Sequence, residues 1–232
     1  MEKGRLYIVG TPIGNLGDMT VRAIEVLMSV PFVLAEDTRE SKKLLVRYNI
    51  NTQLISYRDQ NHNLMIEKIY EKLNMGLNLA LISDCGTPLI SDPGFKLVRE
   101  LRLHGYIVES IPGPSALIAG LSISGLPTDK FSFLGFLPKS DSKRSKLLKQ
   151  YMDLDSTVIL YESPKRILDL LKEIGRINAM STVALVKDLT KKREEFLMGT
   201  PLELLNVLNG KKFGENPHGE FVVVISSTLQ KD

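Results

Sequence analysis

The sequence predicts an α/β protein of two domains, and three observations carry that reading. Short apolar runs alternate with helix-type patterns through most of the chain. Loops punctuated by glycine and proline follow those runs directly. A break at Gly125-Leu126-Pro127-Thr128-Asp129 separates two such series. The 232 residues, 43% of them hydrophobic, suffice to bury one large α/β core or two small ones.

In the first series, residues 6–9, 32–35, 79–83 and 107–111 have the length and apolar character of buried parallel strands. Between them, Ala23, Ile24, Leu27 and Met28 share one helical face, as do Ile66, Ile69 and Leu73, with charges opposite. These helices read as crossovers. A helix of small residues starts at Ser115, and the break then sets the expected domains at 1–126 and 127–232. The second series offers strands at 131–135, 157–161, 182–186, 194–198 and 221–225, with helices near 143–152 and 164–174. Fewer parallel crossovers fit there, so its sheet is expected to be mixed.

Charged residues make up 25% of the chain, near the globular average, and no apolar run approaches the roughly 18 residues a bilayer span needs. Met1-Glu2-Lys3-Gly4 leads into a short apolar run without the small residues of a cleavage site, so no secretory signal is expected. The single Cys85 offers neither an intrachain disulfide nor a thiolate cluster. His62, His104 and His218 lie in no metal-type spacing. A cytoplasmic protein with no membrane span and no catalytic metal is therefore expected. The formal charge of +3 neither demands nor excludes a nucleic-acid partner.

The loops carry the functional information, because open α/β sheets bind ligands at the carboxyl ends of their strands. In the first loop, residues 10–18, glycines allow close backbone approach and Asp18 or Thr20 can cap the following helix. Thr11-Pro12 interrupts any GxGxxG pattern, so an ordinary strand-to-helix turn fits it equally well. The second loop, residues 83–94, is longer than a tight connection requires. Asp84, the Thr87 hydroxyl and freed backbone groups suit the polar ends of a nucleoside, while Pro88 and Ile90 suit its base; a rigid surface loop is the alternative. The third loop, residues 111–116, ends at a small-residue helix start able to receive a ligand carboxylate or hydroxyl.

Residues 9–18, Ala35-Glu36-Asp37-Thr38-Arg39, residues 83–94 and 111–116, and Leu126-Pro127-Thr128-Asp129 closely resemble the tetrapyrrole methylase superfamily, as do Gly135-Phe136-Leu137-Pro138, Tyr161-Glu162-Ser163-Pro164 and Leu189-Thr190-Lys191-Lys192. Within it they look like the branch that modifies ribosomal RNA, and the similarity covers essentially the whole chain. The resemblance implies two α/β domains of a non-Rossmann methyltransferase type, with S-adenosylmethionine in the cleft between them. It further implies a homodimer that methylates a cytidine 2′-hydroxyl of 16S rRNA in the small ribosomal subunit. The donor site it implies comprises Thr11, Pro12, Ser83, Asp84, Gly86, Thr87, Pro88, Ile90, Ser115 and Ala116, with Tyr161, Val186 and Glu220 from the second domain. The sequence departs from the family pattern at Cys85, where alanine is usual, and at Val186-Lys187-Asp188, where Ala-Arg-Glu is usual. The second change keeps charge but gives up a planar guanidinium, which weakens the case for a bidentate phosphate contact at Lys187.

Methyl transfer from a sulfonium requires alignment and water exclusion more than activation. A ribose hydroxyl is a weak nucleophile, so a proton acceptor or an orienting cation helps. Glu36, Asp37 and Glu162 are the candidate acceptors, and Arg22, Arg39 and Lys187 the candidate cations. Each carboxylate equally fits a structural partner of an arginine. Basic residues cluster at Arg39, Lys42, Lys43 and Arg47, at Lys139, Lys143, Arg144, Lys146 and Lys149, and at Lys187, Lys191, Lys192 and Arg193. Such runs are commonly solvated faces. Two of them follow strand ends, and Arg22, Arg39, Lys42, Lys43, Arg166, Lys187 and Lys191 are the candidate RNA contacts. Two rival readings are methylation of a corrin or porphyrin precursor and a noncatalytic RNA-binding or nucleotide-sensing module.

Overall fold

Period-two alternation sets the architecture of the first half. Strands β1 (Leu6–Val9), β2 (Phe32–Ala35), β3 (Gln53–Ser56), β4 (Leu79–Ile82) and β5 (Val108–Ile111) pair in the order β3-β2-β4-β1-β5, every pair parallel. Leu6, Leu34, Leu79, Leu81 and Val108 face one side, where Ile66, Ile69 and Leu73 of α3 (His62–Asn74) and Leu97 and Leu101 of α4 (Phe95–Leu103) cover them. Val9, Val33, Ala35, Ala80, Ile82 and Ile111 face the other, against Ala23 and Leu27 of α1 (Val21–Ser29) and Leu45 of α2 (Thr38–Arg47). A parallel sheet needs both faces covered, and this one has them covered by its crossover helices. The computed structural model describes residues 2–226.

The second half begins at α5 (Ala116–Ile123) and continues with β6 (Phe131–Phe136), α6 (Asp141–Met152), β7 (Thr157–Glu162), α7 (Ile167–Ile177), β8 (Thr182–Lys187), β9 (Glu195–Gly199), α8 (Pro201–Gly210) and β10 (Phe221–Ser226). Its sheet is mixed, as expected: the order is β6-β7-β10-β8-β9, with β6 and β7 parallel and the remaining pairs antiparallel. One face packs on α6, α7 and α8 through residues such as Leu148, Leu171 and Leu204. The other packs on Leu117 and Leu121 of α5.

The chain divides after Ser115, not after Leu126. The reason is α5, whose sequence reads as a continuation of the first series. A Cβ built on Gly120 would lie 2.7 Å from Val222 Cγ1, so only glycine lets this helix sit so close to β10. Leu117, Leu121 and Leu126 then share a cluster with Ile159, Ala184, Val186, Val222 and Val224. Helix α5 therefore belongs to the second unit.

Candidate functional site

Three loops at the carboxyl edge of the first sheet are locked into one platform. Gly10 follows β1, and a Cβ built on it would stand 2.8 Å from the Cα of Gly113; the reverse construction meets the Gly10 carbonyl oxygen at 2.8 Å. The two backbones are in contact, which no residue with a side chain permits. Beside them Thr11 and Gly86 form a short antiparallel bridge: the Thr11 amide donates to Gly86 O at 2.8 Å and the Gly86 amide to Thr11 O at 3.1 Å. Thr87 Oγ1 donates to Pro114 O at 3.1 Å, closing the triangle between the loops.

Within that platform the hydroxyls expected to face a ligand are used for construction. Thr11 is fully buried, with Oγ1 3.3 Å from Gly86 O and 3.5 Å from Ser83 O. Ser83 is buried and donates to Cys85 O at 3.1 Å. Pro12, Gly86 and Pro88 are buried too, whereas Asp84, Cys85 and Ile90 are exposed. Leu89 and Ser91 flank Ile90 in left-handed backbone, φ 73° and 66°. That conformation costs a non-glycine residue roughly 1–2 kcal/mol, so the surrounding contacts hold the loop in place against it. Ser115, which ends the first unit, and Ala116, which opens α5, are both half-buried.

Carboxylates gather on the same edge. Asp37 caps α2: its Oδ1 accepts from the Arg39 amide at 2.9 Å and its Oδ2 from Arg39 Nη2 at 2.8 Å. Those bonds hold its carboxyl far below the usual carboxylate range. The Asp37 amide donates to Asp84 Oδ1 at 3.2 Å. Glu36 is shifted the other way, raised first by burial and then by Asp84, with Asp37 and Asp59 adding and Arg58 opposing. Asp92 is pushed up to about 6, again chiefly by burial, with the Ser83 hydroxyl beside it opposing and Glu36 and Asp84 adding. The expected acceptors thus differ: Asp37 is a tightly paired anion, while Glu36 holds a proton more readily.

Sequence reasoning missed three of these groups. Arg58 donates from Nε to Glu36 O at 3.0 Å, and Asp59 Oδ1 accepts from the Gly94 amide at 3.1 Å. Asp92 lies inside a loop that was singled out for other residues. Arg58 and Asp59 follow β3, and its short Leu54-Ile55 pair was the available hint of a further strand end.

The remaining first-unit candidates have local partners. Arg22 donates to Glu109 at 2.7 Å, Lys43 to Glu40 at 2.7 Å, and Lys42 is exposed. In the second unit, Glu162 is buried, with Oε1 accepting from the Ser163 amide at 2.7 Å and Oε2 3.5 Å from Arg166 Nη2. Arg166 also donates to the carbonyls of Leu137 and Pro138, at 3.2 and 3.0 Å. Tyr161 accepts from the Leu117 amide at 3.1 Å, and Val186 is wholly buried in the sheet. Lys187 is buried and its Nζ lies 3.1 Å from His218 Nε2. Lys191 donates at 2.7 Å to Glu220, whose carboxylate is otherwise exposed. Among the described residues, no group of three or more His, Cys, Asp or Glu side chains is placed to hold a metal ion, and no helix is long and apolar enough to cross a membrane.

Comparison with known proteins gives a consistent result. Residues 5–205 match the family model described as Tetrapyrrole (Corrin/Porphyrin) Methylases. A protein of Thermotoga maritima named "Ribosomal RNA small subunit methyltransferase I" is 41% identical over 96% of this chain and 98% of its own. Its namesake in a Hydrogenobaculum species is 45% identical over 96% and 95%. The one in Escherichia coli O157:H7 is 44% identical over 97% and 78%. Among solved structures, a cobalt precorrin-4 methyltransferase of cobalamin biosynthesis superposes with a TM-score of 0.66 at 16% identity, covering 95% of this chain and 94% of that one. A uroporphyrin-III C-methyltransferase from Thermus thermophilus, complexed with S-adenosylhomocysteine, gives 0.64 at 19% identity, over 96% and 97%. At such identities these two structures speak to the fold alone.

Proposed function

Because the chain belongs to the tetrapyrrole methylase family, and within it to the group named ribosomal RNA small subunit methyltransferase I, we propose that it is an S-adenosylmethionine-dependent methyltransferase acting on ribosomal RNA of the small subunit. The finer reading is transfer to the 2′-hydroxyl of a cytidine in 16S rRNA. The observation that carries it is near-full-length identity above 40% to proteins of that name.

The residues at the carboxyl edge of the first sheet fit the donor. S-adenosylmethionine bears a sulfonium and an ammonium, and Glu36, Asp37, Asp84 and Asp92 supply carboxylates on one side of the interlocked loops. Exposed Ile90 offers an apolar surface beside them. When bound, the donor supplies an already activated methyl group. Thr11, Pro12, Ser83, Gly86, Thr87 and Pro88 then act by fixing the loop backbone, with Asp84 and Ile90 as the groups that meet the ligand and Ser115, Ala116, Tyr161, Val186 and Glu220 completing the donor set. Glu36 is the proton acceptor of choice, since its raised affinity for a proton suits a weakly acidic hydroxyl better than the paired Asp37. Asp37 and Arg39 then orient the substrate.

The same reading carries a cytoplasmic location, where ribosomal subunits are assembled, and a homodimer. Phe131 and Phe136, exposed on edge strand β6, support a self-association surface. Incubation with methyl-labelled donor and either small ribosomal subunits or a tetrapyrrole tests the substrate class. Label in the RNA alone is expected. Label in the tetrapyrrole alone overturns the assignment, and donor binding without S-adenosylhomocysteine formation points to a noncatalytic module.

A further inference from the structure

One edge of the second sheet collects strand ends. Since β6 and β7 run parallel, and β7 and β8 both lie antiparallel to β10, the carboxyl ends of β6, β7 and β8 share an edge with the starts of β9 and β10. Lys139 follows β6, Lys165 and Arg166 follow β7, and residues 187–193 run on from β8. The cations there fall into two sets.

The inner set builds the edge. Arg166 ties down the Leu137 and Pro138 carbonyls and faces Glu162; Lys187 is buried against His218; Lys191 bonds Glu220. The outer set, Lys139, Lys165, Lys192 and Arg193, is exposed and has no hydrogen bond or ion pair among the described residues. Lys143 and Lys146, on the helix that follows Lys139, are exposed and unpaired in the same way.

No nearby carboxylate forms an ion pair with the outer set among the described residues. Glu194 accepts from the Thr190 amide, Glu195 from Lys211, Glu220 and Asp188 face Lys191, and Asp141 faces Arg144. Of the first unit's candidate contacts, Arg22, Arg39 and Lys43 are paired with Glu109, Asp37 and Glu40, while Lys42 is exposed. A row of unpaired cations along one sheet edge attracts a polyanion, whose binding releases its counterions.

We infer that Lys139, Lys165, Lys192 and Arg193, continued by Lys143 and Lys146, hold the sugar-phosphate backbone of the RNA substrate, while Arg166, Lys187 and Lys191 serve only to build that edge. This deepens the proposed function and rests on its assignment of RNA as substrate.

The test is binding of protein-free small-subunit RNA across a salt series, with the variant carrying Lys139→Gln, Lys165→Gln, Lys192→Gln and Arg193→Gln. Four lost contacts at about 0.7 each lower the slope of log affinity against log salt by about 3. Donor affinity by calorimetry stays at the wild-type value, which also establishes that the variant is folded. Replacing the three lysines by arginine keeps the slope, and removing Lys68, Lys96 and Arg99 from the first unit leaves it unchanged. A quadruple variant whose slope matches wild type, or falls no further than that control, overturns the inference. So does a loss seen only with assembled subunits, which assigns the edge to an acidic ribosomal protein. Failure of the functional reading is separate: wild-type protein then places no label in RNA.

Discussion

Replacing Gly10 by alanine probes the platform where its geometry is tightest. The new methyl carbon stands 2.8 Å from both Cα and N of Gly113 and 3.3 Å from its carbonyl carbon. Non-bonded carbons rest at about 3.5–4.0 Å, so the loops must part by roughly an ångström. Crowding of this kind costs about 1–3 kcal/mol. The parting also stretches the 3.0 Å bond from the Gly10 amide to Ile111 O, adding about 1 kcal/mol. A loss of about 2–4 kcal/mol is expected in urea denaturation, accompanied by weaker donor binding in calorimetry. Gly113→Ala fills the same gap from the other side, so the double variant loses less than the sum of the single ones. Gly210→Ala, with open space around its Cβ, is the control and is neutral or stabilising by up to about 1 kcal/mol. Gly10→Ala with a wild-type denaturation midpoint and wild-type donor affinity refutes the reasoning.

Three further outcomes follow from the side chains. Asp92 binds its proton more tightly when folded, near 6 against 3.8 for the free side chain, so wild type loses stability as pH rises from about 4 to 6. Asp92→Asn, neutral throughout, gains on wild type above pH 6 and not at pH 4; an equal difference at both pH values contradicts this. Arg166→Ala leaves Glu162 buried and unpaired and frees two carbonyls, costing about 3–5 kcal/mol in denaturant, part of which Glu162→Gln restores. Asp37→Ala removes the side-chain cap of α2 and impairs methyl transfer more than donor binding. Equal loss of transfer and binding removes Asp37 and Arg39 from the substrate side.

Much of the fold was legible because burial imposes simple patterns. Three of the five strands of the parallel sheet, β1, β2 and β4, are nearly continuous apolar runs, and most of the second sheet's strands stood out for the same reason. Strand β3 was missed: it is an edge strand with only Leu54 and Ile55 to bury, and half-buried edges leave weak periodicity. Helices α2, α4 and α8 went unnamed, the second because the loop before it dominated the reading of that segment. The displaced domain boundary has a tertiary cause, the fit of Gly120 against Val222, which no local pattern records. At the site, the loops were legible as loops, but the use of each side chain was not. Thr11, Ser83 and Thr87 spend their hydroxyls on backbone carbonyls, and Lys187 turns inward to His218. Arg58 and Asp59 join the carboxylate edge only through contacts distant in sequence.

The most direct test of the account is mass mapping of ribose methylation in small-subunit RNA before and after treatment with the protein and S-adenosylmethionine. The account predicts one added methyl on a cytidine ribose, with S-adenosylhomocysteine formed in equal amount. RNA of unchanged mass while the donor is consumed on a tetrapyrrole contradicts it.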